Sequence, residues 1–132
     1  MITTRGRYAL RVLIDLAQQD QNKYTPMKEI SARQGISLKY LEQIMPVLIK
    51  GKIVDGVSGK GGGYRLSRTP EEYTIYEILT LTEGSLAPVA CLHCNADKCK
   101  RSDKCRTLPM WQKYNELTTD FFANISLAEL TK

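Results

Sequence analysis

The helical periodicity of this chain breaks once between two short amphipathic stretches, at Gly35, and nothing else in the sequence restricts the fold as much. Before the break, Thr25-Pro26 reads as an N-cap followed by proline at the first helical position, where its missing amide costs nothing. That predicts a helix over 26–34, with Met27, Ile30 and Ala32 turned inward. After the break, Ser37 reads as the cap of a further helix whose buried stripe is Leu38, Leu41, Ile44, Met45 and Leu48. Two short helices joined through a glycine turn of about four residues form a helix-turn-helix pattern. Pro46 lies inside the second helix and is expected to kink it or to split it after Met45.

The neighbouring segments extend this pattern. Residues 7–18 place Tyr8, Ala9, Val12, Leu13 and Leu16 on one helical face. Residues 53–57 and 64–66 read as short strands around the glycine-rich tip SGKGGG, which makes a basic hairpin. Thr74 caps a predicted helix over 75–83, with Ile75, Ile78 and Leu79 inward and Leu81-Thr82 partly so. Residues 85–104 lack periodicity. From about Thr107, the residues Leu108, Trp111, Tyr114, Leu117, Phe121 and Ile125 recur every three or four positions, giving a long helix. Ser126 and Glu129 form a capping box that starts a short final turn. Helix, helix-turn-helix, then hairpin is the order of a winged helix. The expected fold is mainly α with a small β-hairpin wing and a long C-terminal helix.

With 132 residues the chain has the size of one compact domain. Within it we expect a winged-helix region over 1–84, a cysteine-containing loop over 85–106 and a helical C-terminal segment over 107–132. No run approaches the roughly 20 apolar residues of a membrane span, and the first residues lack a signal-peptide apolar block, so a cytoplasmic location is expected. The net charge of +5 is unevenly spread. Residues 1–68 carry 12 Lys/Arg and 5 Asp/Glu, a net of +7, and the remainder carries 7 and 9, a net of −2. A basic half of this kind suits a polyanion. The single histidine, and the lack of a nucleophile elbow or paired-carboxylate motif, argue against an enzyme. GKGGGY lacks the GxxxxGK[ST] pattern and joins two strands, which argues against nucleotide binding.

Double-stranded DNA fits the order of elements better than any other polyanion, because an α-helix matches the width of the major groove. On the second helix of the pair, Gln43 can pair bidentately with adenine and Lys39 can reach guanine or phosphate. Tyr40 can donate to phosphate or pack on a sugar. Glu42 opposes the phosphate field but can accept from cytosine, so it acts as a candidate specificity filter. Lys60, Gly61 and Gly62 at the hairpin tip allow close approach to the duplex. Arg5, Arg7, Lys28, Arg33 and Arg65 are candidate phosphate contacts, which position the protein without reading sequence.

Cys91, Cys94, Cys99 and Cys105 fall within 15 consecutive residues as C-x2-C-x4-C-x5-C. Clustered thiols of this kind point to metal or redox chemistry, with iron–sulfur, zinc and thiol–disulfide switching all open. Lys98, Lys100, Arg101 and Lys104 would favour thiolates and offset the charge of a cysteine-ligated centre. A small iron–sulfur electron carrier would also use such thiols, but it has no need of a basic winged helix.

GRYA (6–9), ISLKYLEQ (36–43) and GGGYRL (61–66), with NISLAEL (124–130) near the end, together resemble the Rrf-type family of bacterial transcription regulators. The IscR-like branch is the most similar, beside NsrR-, RirA- and CymR-like members. The resemblance covers nearly the whole chain. It implies a homodimer that pairs its long C-terminal helices on a palindromic operator, commonly as a repressor. A core helix is the other reading of the stripe from Leu108 to Ile125. The resemblance also implies a [2Fe–2S] cluster sensing iron–sulfur, redox or nitric-oxide status. Cys91, Cys99 and Cys105 look like its three cysteine ligands. Leu108 stands where the IscR-like pattern has a histidine, and Arg7 where NsrR-like members have an acid, so Cys94, then His93, is the candidate fourth ligand. A structural zinc, a thiol switch or a sensing protein partner would each leave the regulator reading intact.

Overall fold

The structure, a computed structural model, describes residues 1–93, 97 and 99–132. Helices α1 (Thr4–Ala17), α2 (Met27–Gln34) and α3 (Leu38–Lys50) precede a hairpin of β1 (Val54–Val57) and β2 (Gly63–Leu66). Helix α4 (Ile75–Glu83), the cysteine segment and α5 (Leu108–Ala123) follow, and a 3-10 turn (Leu127–Thr131) ends the chain. Helix α1 contributes Ala9, Val12, Leu13 and Leu16 to the core, α3 contributes Leu41, Ile44, Met45 and Leu48, and α4 contributes Ile75, Ile78 and Leu79. These are the positions that helical periodicity selects, because a helix presents one apolar stripe to its neighbours. Leu127, after α5, is also fully buried, so the end of the chain closes the same core. It is held there by a bond from the Leu127 amide to the Tyr73 carbonyl, 3.0 Å.

Three local expectations need correction. Pro26 and not Thr25 occupies the cap position of α2. The backbone of Thr25 is instead paired with Tyr64 of β2, its amide donating at 2.7 Å and its carbonyl accepting at 2.8 Å. Thr25 therefore adds a single-residue third edge to the hairpin, and Gly63, at φ +140°, allows the approach because a β-carbon there would overlap the Thr25 carbonyl. Ala32 and Leu38 are exposed; in α2 Ile30 is fully buried with Met27 packed beside the core, and in α3 the buried stripe begins at Leu41. Pro46 neither splits nor ends α3, which runs on to Lys50 and stops at Gly51. Pro46 is exposed, so water can serve the carbonyl whose partner amide is missing.

The hairpin is antiparallel, with Val54 opposite Leu66 and Val57 opposite Gly63. Its base is tied to the core by Tyr73, which is fully buried. The Tyr73 hydroxyl donates to the Ile53 carbonyl at 2.7 Å and accepts from the Arg68 amide at 2.8 Å. Burial pushes its pKa up, against the opposing pull of the Arg68 amide and guanidinium.

Candidate nucleic-acid surface and cysteine segment

Helix α3 starts where the Ser37 hydroxyl accepts the Tyr40 amide at 3.1 Å. That cap and the buried stripe set the rotation of the helix, leaving Lys39, Glu42 and Gln43 exposed. Tyr40 is half-buried and meets Tyr8 of α1 edge-on, with ring centroids 5.3 Å apart. Arg11 lies over the Tyr8 ring at 5.0 Å and donates to the Gln34 carbonyl. The exposed polar face of α3 is thus supported from behind by α1, which is itself tied to the end of α2.

The candidate phosphate contacts divide into two groups. Arg5, Lys28 and Lys60 are exposed, and Arg7, also exposed, bonds within its own first turn, to Thr4 Oγ1 at 3.1 Å. Arg33 and Arg65 carry structural work. Arg33 forks onto Asp15 at 2.9 and 2.8 Å, and Gln34 adds a third bond at 3.1 Å. The Asp15 side chain is 2% exposed and that of Arg33 is 37% exposed, so the pair fastens α2 to α1 with its outer edge in water. The bond to Asp15 raises the Arg33 pKa further above its ordinary value. Arg65 covers the ring of Tyr24 at 4.4 Å and reaches the Gln21 carbonyl at 3.5 Å. At the hairpin tip, Gly59 and Gly61 adopt positive φ, and the Gly62 amide donates to the Gly59 carbonyl at 3.0 Å. Lys60 therefore projects from a tight turn.

Spacing along the chain cannot reveal Asp15 or Tyr73, because each has partners distant in sequence. Helical spacing sets Asp15 outside the apolar face of α1 with Arg7, Arg11 and Gln18, whereas the structure buries it against Arg33.

In the cysteine segment, Cys91 lies in a 3-10 turn (Ala90–Leu92) and is exposed, as are Cys99 and His93. Cys105 is half-buried, with its sulfur 3.4 Å from Thr107 Oγ1. That hydrogen bond, the Thr107 and Leu108 amides and the charge of Arg101 lower the Cys105 pKa. All three described thiols are free. Cys94 and Lys98 lie outside the described residues. Among the described residues, no three His, Cys, Asp or Glu side chains converge on one point. The donor set, soft thiols set among cations, nevertheless fits a cysteine-ligated iron–sulfur centre chemically.

Helix α5 presents an apolar face with no cover. Met110, Tyr114, Leu117 and Phe121 are each more than half exposed, and no α5 residue is fully buried. Tyr114, Leu117 and Phe121, with Trp111, Leu86 and Ile2, border an open groove of about 920 Å³. The stripe expected from the sequence runs along α5 from Leu108 to Phe121 without entering the core; Ile125 lies beyond the end of the helix and packs against the core instead. No helix among the described residues is long and apolar enough to cross a membrane.

Comparison with known proteins places this architecture. The Rrf2 family model, described as an iron-dependent transcriptional regulator, matches residues 2–132. The regulator IscR of Xenorhabdus nematophila is 37% identical over 131 residues, covering 99% of this chain and 79% of that protein. The structure of CymR, the global cysteine regulator of B. subtilis, superposes with a TM-score of 0.79 at 28% identity, covering 99% of this chain and 95% of that one. IscR of T. potens superposes with a TM-score of 0.77 at 32% identity, covering 98% and 85% respectively.

Proposed function

This chain belongs to the Rrf2 family of iron-dependent transcriptional regulators, and from that membership we propose a dimeric, cytoplasmic DNA-binding regulator that senses through its cysteine segment. As its relatives are, it is a transcriptional regulator and not an enzyme. The observation that carries the DNA reading is the polar face of α3, held in fixed rotation by the Ser37 cap and the Tyr8–Tyr40 contact. Lys39 and Gln43 read base edges in the major groove, and Glu42 rejects sites that place a phosphate or an acceptor against it. Arg5, Arg7, Lys28 and Lys60 take phosphates, and Gly61 and Gly62 bring the tip close to the backbone. Arg33 and Arg65 present only the edges that Asp15 and Tyr24 leave free.

The uncovered face of α5 pairs with the same face of a second copy, which sets two α3 helices on a palindromic site. Cys91, Cys99 and Cys105 hold an iron–sulfur cluster, [2Fe–2S] in the leading reading, with Cys94 or His93 as the fourth ligand. When bound, such a cluster supplies a centre sensitive to oxidants and nitric oxide. This chain's own residues do the remainder. Thr107 steadies the Cys105 thiolate, and α5 begins directly after it, so a change in the segment reaches the dimer helix. The bias of Cys105 towards thiolate also supports a second reading, in which zinc or a reversible disulfide takes the place of the cluster.

The test is anaerobic purification, with visible absorption and assays for iron, sulfide and zinc on the same sample, followed by selection of bound duplexes from a randomised pool. Iron with equimolar sulfide and a selected palindrome are expected. Stoichiometric zinc, or no metal, would move sensing to the second reading. Failure to select any sequence would overturn the DNA-reading role of α3. Glu42→Ala is expected to widen the set of sites accepted by the metal-free protein; an unchanged set removes the filter role.

A further inference from the structure

The first turn of α1 carries two candidate phosphate contacts, Arg5 and Arg7, yet it has no cap of its own. The Thr3 side chain makes no capping bond to the helix, and the first turn contains no acid. The orphan amides are served from the far end of the winged-helix region. The Glu83 carboxylate accepts from the Thr3 amide at 2.9 Å, from the Gly6 amide at 3.1 Å and from the Thr3 hydroxyl at 2.9 and 3.0 Å. Gly6 makes this possible, because a β-carbon there would overlap the nearer carboxylate oxygen. A carboxylate at this position complements the positive end of α1 and opposes the negative end of its own helix α4. It is therefore favourable only while α1 is in place.

Glu83 is also the last residue of α4. Gly84, at φ +82°, turns the chain out of the helix, and seven residues later comes Cys91. Leu86, two residues beyond the turn, packs against the core and borders the same groove as Met1 and Ile2. The end of α4 thus meets the start of α1 through a carboxylate, and the start of the cysteine segment shares an apolar groove with the residues that lead into α1. On the other side, Glu83, Arg5 and Tyr40 of α3 face a common hollow of about 390 Å³.

We propose that Glu83 is the positioning residue that couples the state of the cysteine segment to the DNA surface. It acts by holding or releasing the first turn of α1, and with that turn Arg5, Arg7 and the Tyr8 support of Tyr40. The proposal rests on the sensing role given above. It assigns no ligand contact to Glu83 itself.

The experiment uses the full chain, wild type and Glu83→Gln, with Gly6→Ala as a second route to the same loss and Thr3→Ala as a milder third. DNA affinity is read by fluorescence anisotropy on the duplex that the wild type selects. It is measured on anaerobically isolated protein and again after metal removal with chelator and ferricyanide. Deuterium exchange reports on residues 3–6 in both states. In the wild type the affinity is expected to differ by tenfold or more between states, and exchange at 3–6 is expected to rise in the weaker-binding state. In Glu83→Gln and Gly6→Ala the ratio is expected to fall to within about twofold of unity, with fast exchange at 3–6 in both states and a cooperative thermal transition retained. Should either substitution prevent folding, Thr3→Ala still decides, because removing the hydroxyl must shrink the ratio. Variants that keep the wild-type ratio overturn the coupling and leave sensing intact. A wild-type ratio of one removes the sensing reading and the coupling together.

Discussion

Residues 1–84 and residues 85–126 of this chain solve opposite problems. The first region buries its apolar residues, with Leu13, Leu41, Ile44 and Leu79 at or below 1% exposure. The second buries none among its described residues, and α5 holds Leu117 and Phe121 at 59% and 62% exposure. Both regions have an amphipathic stripe at helical spacing. The difference is that α1, α3 and α4 have one another, whereas α5 has only Phe122 packed against the core from its own length. An apolar face of this size on an isolated chain marks an interaction surface. The comparison teaches that identical periodicity records that a face will be covered, and says nothing about what covers it.

The hardest test of that contrast is to charge the α5 face. Leu117→Asp with Phe121→Asp is expected to weaken self-association on the order of a thousandfold or more, since each apolar side chain contributes about 1.5–3 kcal/mol when buried and symmetry doubles the loss. Sedimentation should show monomers while thermal unfolding of the winged-helix core is unchanged. If the dimer persists, α5 is not the interface.

The converse substitution is made in the first region. Leu41→Ala should cost about 2–5 kcal/mol of folding stability by removing a fully buried side chain, read from chemical denaturation, with association of the folded fraction preserved. Equal effects on both quantities would show that the two regions do not fold and associate separately.

Tyr73→Phe is a smaller perturbation of the same core. Two hydrogen bonds at the hairpin base are lost, for about 1–2 kcal/mol at neutral pH. The sign of its pH dependence follows from burial, which raises the Tyr73 pKa in the fold above about 10 in the unfolded chain. Its stabilising contribution is complete below about pH 10 and is lost as the pH climbs through the folded value. The wild type should therefore lose stability more steeply than Tyr73→Phe above pH 10. Parallel curves would contradict a buried neutral phenol.

The smallest effect belongs to the exposed tip of the hairpin. Lys60→Ala should lower the salt slope of DNA binding by about one and leave the selected sequence and the folding stability unchanged. A changed sequence preference would make Lys60 a base reader.

Much of the first region is legible in the sequence because its signals are short-range. Ser37 and Thr74 each cap the helix that follows at once, as Ser126 and Glu129 also do across three residues at the end of the chain. Glycine at positive φ in the hairpin tip is a property of the residue itself. The same local reading misplaces Thr25, whose cap chemistry is overridden by two backbone bonds to Tyr64. It also takes Leu38 as core, when that side chain is exposed and the first turn of α3 meets α1 through Tyr40 instead. In the second region the cysteine spacing points to soft-ligand chemistry, but which group such thiols could hold is set by their arrangement in space, which spacing does not give.

What the sequence by itself determined, then, is the order of elements, their caps, the buried stripe of each helix in the winged-helix region and the presence of a thiol segment. These depend on neighbours within about four residues, where spacing and geometry are the same information. Only the tertiary structure decided that Asp15 locks Arg33, that Tyr73 ties down the hairpin, that Glu83 caps a helix beginning about 80 residues earlier in the chain, and that the α5 stripe stays uncovered. Each of these joins residues far apart along the chain, and a contact made by folding leaves no period in the sequence to be read.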